Sequence, residues 1–376
     1  MDKTSNRLPS LDLARVIAML MMVQGHTIYA FADPSLIDTS KWWWDIWSFL
    51  RGFTAPVFLT VSGAVHVFAN KRDENGKLGR KTIIRRIRTA LILFLVGYLL
   101  QFPAGSVFDL PYIKHEYWLS FYKVNILQLF GFTLLTALAI FIISKNDKQV
   151  RIISFFFALL FAVLTPISNQ SDFVTNLPPF FQAYFSFEFG SLFPVIPYSS
   201  YFFTGIVFGT ILKKIQKENR ARFILISSFL IFLTLILISL PFSESSQNLW
   251  LMVKSFSRDN PAIVLQREAF VFLGLGIVSL LHMLINRISN IYTALGKRAL
   301  VIYVLHLMII YGGLGLRNFF ELKTLSIEMA IICALIVETL SISITLLVHF
   351  SLNRNKKYIY VWLVLIAIYV LYKFIL

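Results

Sequence analysis

The sequence predicts an all-α protein, a polytopic membrane helical bundle of about eleven transmembrane helices, and three observations lead there. The 376 residues are 57% hydrophobic and 14% charged, with mean hydropathy +0.72, and no long polar stretch stands ready to fold as a separate soluble domain. The apolar residues gather into runs long enough for spanning helices, without the alternating ten-residue pattern of a membrane β-barrel. Lys and Arg cluster between alternate runs, as topogenic charge does. A helix satisfies its own backbone in lipid, so a bundle of helices is the expected architecture.

In chain order, the spans are expected at about 11–32, 46–69, 87–105, 124–144, 150–167, 195–213, 222–241, 263–285, 299–316, 326–350 and 357–375. The first ten form one integral-membrane domain with a core of about 8–350, and 357–375 is an additional carboxy-terminal span. The first run follows Lys3 and Arg7 and closes at the polar, Trp-rich segment 33–45; the second closes at the basic run Lys71 to Arg88. The third opens from that run and ends before loop 106–122, which carries Asp109, Lys114, His115, Glu116, Tyr117 and Trp118. The fourth and fifth flank a short basic turn at 145–151, and the long aromatic loop 168–196, with Asp172 and Glu188, precedes the sixth. The basic segments 213–222, 287–298 and 354–357 follow the sixth, eighth and tenth.

The net charge of +16 could suggest nucleic acid, but its placement speaks against that partner. With the amino terminus in the cytoplasm, 24 of the 35 Lys and Arg fall in inner segments and seven in outer ones. The outer seven are Lys41, Lys114, Lys254, Arg258, Arg317, Lys323 and Lys373, while Arg15, Arg51, Lys123 and Arg267 lie within spans or at their edges. This positive-inside pattern predicts a cytoplasmic amino terminus, an extracytoplasmic carboxy terminus and residence in the cell (plasma or inner) membrane. The run Lys71 to Arg88 has two readings, a solvated topogenic loop or a contact for a phosphorylated cytoplasmic cofactor. Lys3, Arg7, an apolar run and Ala30-Phe31-Ala32 imitate a signal peptide, but Asp12 and Arg15 abutting that run predict a retained first helix. The single Cys333 excludes an intrachain disulfide.

The outer tryptophans Trp42, Trp43 and Trp44 read either as an interfacial belt or as a stacking surface for a sugar, with neighbouring carboxylates binding hydroxyls. Gly205 and Gly209 have the small-xxx-small spacing of closely packed helices. Asn125 with Gln128, and Tyr303 with His306, are polar pairs three residues apart near the starts of spans, fit either to bond across helices or to share in a site. His66, His282 and His349 lie near inner span ends and His115 in an outer loop. Local sequence offers no metal-ligand pair, nucleophile elbow or phosphate-cradling loop.

Arg15 and His26 carry the strongest functional signal. A charged side chain inside a span costs at least ~2.5 kcal/mol on insertion scales and is read as functional by default. Their eleven-residue separation amounts to three turns plus ~20°, which puts both on one helix face about 16 Å apart along the axis. Asp12 lies one turn before Arg15. If Asp12 marks the inner edge of a ~30 Å core, His26 stands about 21 Å across, in the outer half.

These residues resemble a known family. Ser10-Leu11-Asp12-Leu13-Ala14-Arg15 followed by His26 is similar to the opening of the transmembrane acyltransferase superfamily, which includes acyltransferase-3 and heparan-alpha-glucosaminide N-acetyltransferase-like proteins. Four further segments agree in order: Phe53 to Gly63 with its Pro56-Val57-Phe58 and Ser62-Gly63, Asn125 to Gln128, Phe193-Pro194 through Gly209, and Leu295-Gly296 through Tyr303 to His306. The resemblance covers about 8 to 310. One departure is Arg15-Val16 where the family commonly has Arg-Gly, which removes a small residue beside the cation but keeps both polar groups. The resemblance implies transfer of an acyl group, acetyl foremost, from cytoplasmic acetyl-CoA or another acyl-CoA to a hydroxyl or amine of an extracytoplasmic glycan, lipid-linked sugar or other envelope acceptor, with membrane lipid around it and no metal. His26 is then expected as general base, with an acyl-histidine intermediate as the variant route; Arg15 anchors the cofactor's phosphates and Asp12 orients Arg15. Asn125, Gln128, Tyr303 and His306 are the expected cofactor-side candidates. The competing reading is a transporter or flippase for a lipid-linked sugar or small metabolite, in which Arg15 and His26 line a transport path; the absence of visible repeats speaks against it.

Overall fold

A computed structural model of the chain describes residues 8–70, 72–74, 76–170, 172–285, 288–311, 323–355 and 357–374. Among them are twelve helices of ten residues or more: α1 (Pro9–Phe31), α2 (Trp42–Arg51), α3 (Thr54–Ala69), α4 (Arg80–Leu100), α5 (Ile126–Ile143), α6 (Asp147–Val163), α7 (Val195–Leu212), α8 (Arg220–Ser239), α9 (Ala262–Leu284), α10 (Ala299–Tyr311), α11 (Ile327–Arg354) and α12 (Tyr358–Phe374). Seven stretches are long and apolar enough to cross a membrane by themselves, with α2 and α3 counted as one, and bent pairs at α6 and α10 bring the number to nine. The two remaining expected spans correspond to α4, whose first turns are basic, and to the 17-residue α12. The chain is an all-α, multi-pass membrane protein. Lys3, Arg7, Lys71, Arg287, Arg317, Lys356 and the expected end of the ninth span at 312–316 lie outside the described residues.

Two boundaries differ from expectation for local reasons. The second span is interrupted at Gly52 and Phe53, between α2 and α3. Pro56 lacks an amide hydrogen and would clash with the carbonyl of Gly52 in a continuous helix, so it sits in the first turn of a new one. The helix α4 starts at Arg80, seven residues before the apolar run, because Lys and Arg are good helix formers and can extend their stems along apolar surface.

The described chain divides into two compact units, Met1–Arg15 with Ala55–Gly97 and Tyr122–Ser289, and Val16–Thr54 with Tyr98–Phe121 and Asn290–Leu376. In the first, α7 is the central helix: Tyr201, Phe202, Phe203 and Ile206 have no exposed surface. Gly63, Gly205 and Gly209 let its backbone approach α3, since a Cβ on Gly205 would collide with the Thr60 carbonyl and one on Gly63 with that of Phe202. Phe157 and Phe161 of α6 pack on Phe203, and Ser200 Oγ donates to the Ala158 carbonyl at 2.8 Å. The helix α9 packs along α8, where Ser279 Oγ donates to the Ala221 carbonyl at 2.8 Å. The other side of α8 exposes Ile226, Phe229, Leu230, Leu233 and Leu237, which suits contact with lipid. Part of the expected inner basic run has structural work: Arg72 Nη1 donates to the carbonyls of Gly76 and Ser144, each at 2.6 Å, and Arg86 Nε donates to Asn70 Oδ1 at 2.8 Å. Burial lowers the Arg72 pKa. Lys77, Arg80, Lys81, Arg85 and Arg88 are exposed.

In the second unit, the end of α1 packs on the start of α11 through Ile28, Ala32, Ala330 and Ala334, with Trp47 of α2 against the cluster. Backbone bonds fasten this corner, among them those from Asp33 N–H to the Leu325 carbonyl at 3.0 Å and from Leu325 N–H to the Phe31 carbonyl at 2.9 Å. Trp362 of α12 donates to Ser351 Oγ of α11 at 3.1 Å.

Candidate functional site

The amino-terminal turns of α1 hold the first predicted cluster, in the first unit. Asp12 lies in the opening turn, where free amide hydrogens and the helix dipole favour a carboxylate. Arg15 follows at i+3, its Nη1 3.8 Å from Asp12 Oδ1, and both side chains are largely buried. From α3, Ser62 Oγ accepts a hydrogen bond from Arg15 Nη2 at 3.4 Å, and the Phe58 ring lies 5.9 Å from the guanidinium carbon. The segment from Pro56 to Gly63 therefore has a physical content: Phe58 and Ser62 hold the cation while Gly63 admits α7 on the other side. Deeper in this unit, Thr60 of α3 lies 3.4 Å from both carboxyl oxygens of Glu268, which is 2% exposed.

The second cluster is in the second unit. His26 Nδ1 lies 3.1 Å from His306 Nε2, and the rings stack with centroids 5.3 Å apart at 22°. His306 is fully buried, and its Nδ1 is 3.0 Å from the Ile302 carbonyl one turn back on α10. A carbonyl can only accept, so this bond assigns the proton of neutral His306 to Nδ1 and leaves its Nε2 as an acceptor. The bond to His26 is then donated by His26 Nδ1–H. Neutral His26 consequently carries its lone pair on Nε2, the nitrogen turned away from His306. Tyr303 stands edge-on to His306 at 5.5 Å.

Arg51 joins this cluster, although its sequence marks it only as a charge at a span edge. Its guanidinium lies over the rings of Trp47 at 4.5 Å and Tyr29 at 5.2 Å. A Cβ on Gly25 would stand 3.2 Å from Arg51 Nε, so the missing side chain beside His26 makes room for the arginine. Its charge acts on His26. Sequence spacing gives no hint of this, since Arg51 reaches His26 from another helix.

The Asn125 and Gln128 pair lies in the first unit and shapes the start of α5. Asn125 is the amino-terminal cap residue, and its backbone N–H donates to Gln128 Oε1 at 3.3 Å. Gln128 has no exposed surface and presses its amide against the backbone at Gly97, where a Cβ would stand 2.7 Å away. The carboxylates of the segment expected on the outer side serve local structure as well. Asp33 accepts from the Ser35 amide at 2.9 Å and its hydroxyl at 2.7 Å, bonds that hold its carboxyl below the usual range, and Asp38 accepts from the Ser40 amide at 3.0 Å. Trp42 and Trp43 are exposed, whereas Trp47 faces Arg51. His66 packs edge-on to Phe141 and Phe202, and His349 bonds Asn353 at 2.8 Å.

The family model described as an acyltransferase domain, acyltransferase-3, matches residues 8–348, a range that includes both clusters. No curated protein matches the chain.

Proposed function

The chain belongs to the acyltransferase-3 family and is a multi-pass membrane acyltransferase, and on that premise we propose that it moves an acyl group, acetyl foremost, from cytoplasmic acyl-CoA to a hydroxyl or amine of an extracytoplasmic glycan or other cell-envelope acceptor, within one catalytic domain of about 8–350. The observation that supports this reading best is the His26–His306–Ile302 chain of hydrogen bonds. It gives His26 a fixed tautomer with an available basic nitrogen, as an orienting partner does for a catalytic histidine.

In the proposed reaction, His26 Nε2 takes the proton of the acceptor hydroxyl or amine as that atom attacks the thioester carbonyl. The carbon–sulfur bond breaks, and the imidazolium returns its proton to the departing thiolate, so that CoA leaves as the thiol. His306, accepting from His26 Nδ1–H, steadies the imidazolium between these two transfers. Arg51, braced on Trp47 and Tyr29, supplies positive charge for the oxyanion that develops on the carbonyl. Tyr303 packs edge-on against His306 and keeps its ring in place.

Arg15 takes the role of phosphate anchor. Its planar fork is held by Asp12 and Ser62, and a guanidinium keeps its charge in a span where an ammonium would lose it more readily. The exposed cations Lys77, Arg80, Lys81, Arg85 and Arg88 add attraction for a polyanionic donor on the side that the charge distribution assigns to the cytoplasm. Gln128 and Asn125 contribute by fixing the start of α5.

The test is CoA release by the purified protein in nanodiscs supplied with acetyl-CoA and an envelope glycan fraction. His26→Ala is expected to abolish release while preserving expression and the thermal midpoint. Wild-type turnover in that variant would overturn the role of His26, and substrate flux into vesicles without CoA release would replace acyl transfer by transport.

A further inference from the structure

Arg267 is a membrane-segment charge that the proposed reaction leaves unused. It sits in the second turn of α9, within the largely apolar run Ala262-Ile263-Val264-Leu265-Gln266-Arg267, and is partly buried. Its guanidinium Nη1 donates to the Tyr198 hydroxyl at 3.2 Å. No carboxylate pairs with it among the described residues, and the adjacent Glu268 lies instead against Thr60. The fully buried Tyr201 hydroxyl is a second neutral neighbour of the Arg267 guanidinium, coupled to it by charge and by a side-chain hydrogen bond of strained geometry. A guanidinium has five N–H donors, and holding its charge in a span against neutral phenols, with no carboxylate beside them among the described residues, is unfavourable. An anionic ligand would offset that cost and occupy donors that the protein leaves over.

The surroundings narrow the chemistry of that ligand. The Tyr198 ring meets Phe193 at 5.1 Å and Phe187 at 6.0 Å, both edge-on, and the exposed Arg258 guanidinium lies 5.4 Å over the Phe187 ring. The loop carrying Phe187 is fastened by Asn169, whose Oδ1 accepts from Ser186 Oγ at 2.9 Å and whose amide donates to Asp259. Two guanidinium groups thus flank a row of aromatic rings. Planar forks suit the paired oxygens of phosphate or carboxylate, and aromatic surfaces suit the apolar faces of sugar rings. These residues lie at the span ends that the charge distribution assigns to the outside.

We propose that Arg267, with Tyr198, Tyr201 and Arg258, forms a subsite for the anionic group of the acyl acceptor, a saccharide that carries a phosphate or carboxylate. This rests on the acyl-transfer reading above and adds a charge requirement to its acceptor.

Phenylglyoxal modification of the full-length protein tests it, with adducts mapped by peptide mass spectrometry in phosphatidylcholine nanodiscs. Glucose 1-phosphate is expected to slow modification of Arg267 at least five-fold, and glucose to leave it unchanged. In titration calorimetry, glucose 1-phosphate should bind at least ten-fold more weakly to Arg267→Gln, with a smaller loss in Arg267→Lys; if neither variant folds, the wild-type protection result still decides. Equal modification rates with and without glucose 1-phosphate overturn the subsite. Inorganic phosphate protecting as well as the sugar phosphate overturns its saccharide component. Protection by phosphatidylglycerol nanodiscs alone, with no added effect of the sugar phosphate, overturns it in favour of a lipid headgroup. CoA release is followed on the same preparation: its absence with every acceptor counts against acyl transfer, whereas release with no Arg267 protection counts against the subsite alone.

Discussion

In a His306→Leu variant, the His26 Nδ1–H loses its acceptor 3.1 Å away. Two responses are open to the ring. The proton stays on Nδ1 without a partner, or it moves to Nε2 and takes away the lone pair that the proposed reaction uses. Leaving a donor unsatisfied in a buried setting costs ~1–3 kcal/mol. At 1.36 kcal/mol per factor of ten, the productive tautomer falls about 5- to 150-fold. The loss should appear in kcat measured by CoA release, with the KM for the acyl donor little changed, because His306 contacts His26 and the donor is anchored elsewhere. His306→Gln offers a carbonyl acceptor again and should recover part of the rate. A Leu variant that retains wild-type kcat, in a protein inactivated by His26→Ala, would refute the orienting role of His306.

Arg15→Gln is expected to raise the KM for acyl-CoA by about ten-fold or more, and Arg15→Lys by less, since charge survives without the planar fork; a calorimetric titration with CoA reports the change directly. Gly205→Ala places a methyl group against the Thr60 carbonyl and should lower the thermal midpoint, by an overpacking cost of ~1–3 kcal/mol, whereas Gly274→Ala, with nothing within 4 Å of the new carbon, should not. Glu268→Gln keeps a group that can accept from Thr60 and should leave the midpoint near wild type, while Glu268→Ala leaves that hydroxyl and a void, and should cost ~2 kcal/mol or more in urea unfolding.

Much of the fold is legible along the chain because spanning helices obey short-range rules. Apolar runs and their basic borders locate the helices, although the break before α3 interrupts a span expected to run unbroken over 46–69. The sequence also places Arg15 and His26 on α1, since eleven residues of a regular helix fix their mutual direction. It separates Tyr303 and His306 from the surrounding apolar residues, but their partner is invisible there. The capping use of Asn125 and Gln128 is partly legible in their three-residue spacing, although the same spacing also fits a pair on a helix face. Arg51 and Arg267 carry only the signal of charge at a span edge, which says that something must accommodate them without saying what.

By itself, then, the sequence determined the class of the molecule, the position of its helices and the two polar residues that share a face of α1. Those follow from composition and from interactions within three or four residues. Tertiary structure alone decided that His26 meets His306 across 280 residues, that Phe58 and Ser62 hold Arg15, and that Arg51 lies across Gly25. Helix periodicity sets the direction in which a side chain points, but the partner it meets depends on how helices distant in sequence pack against it.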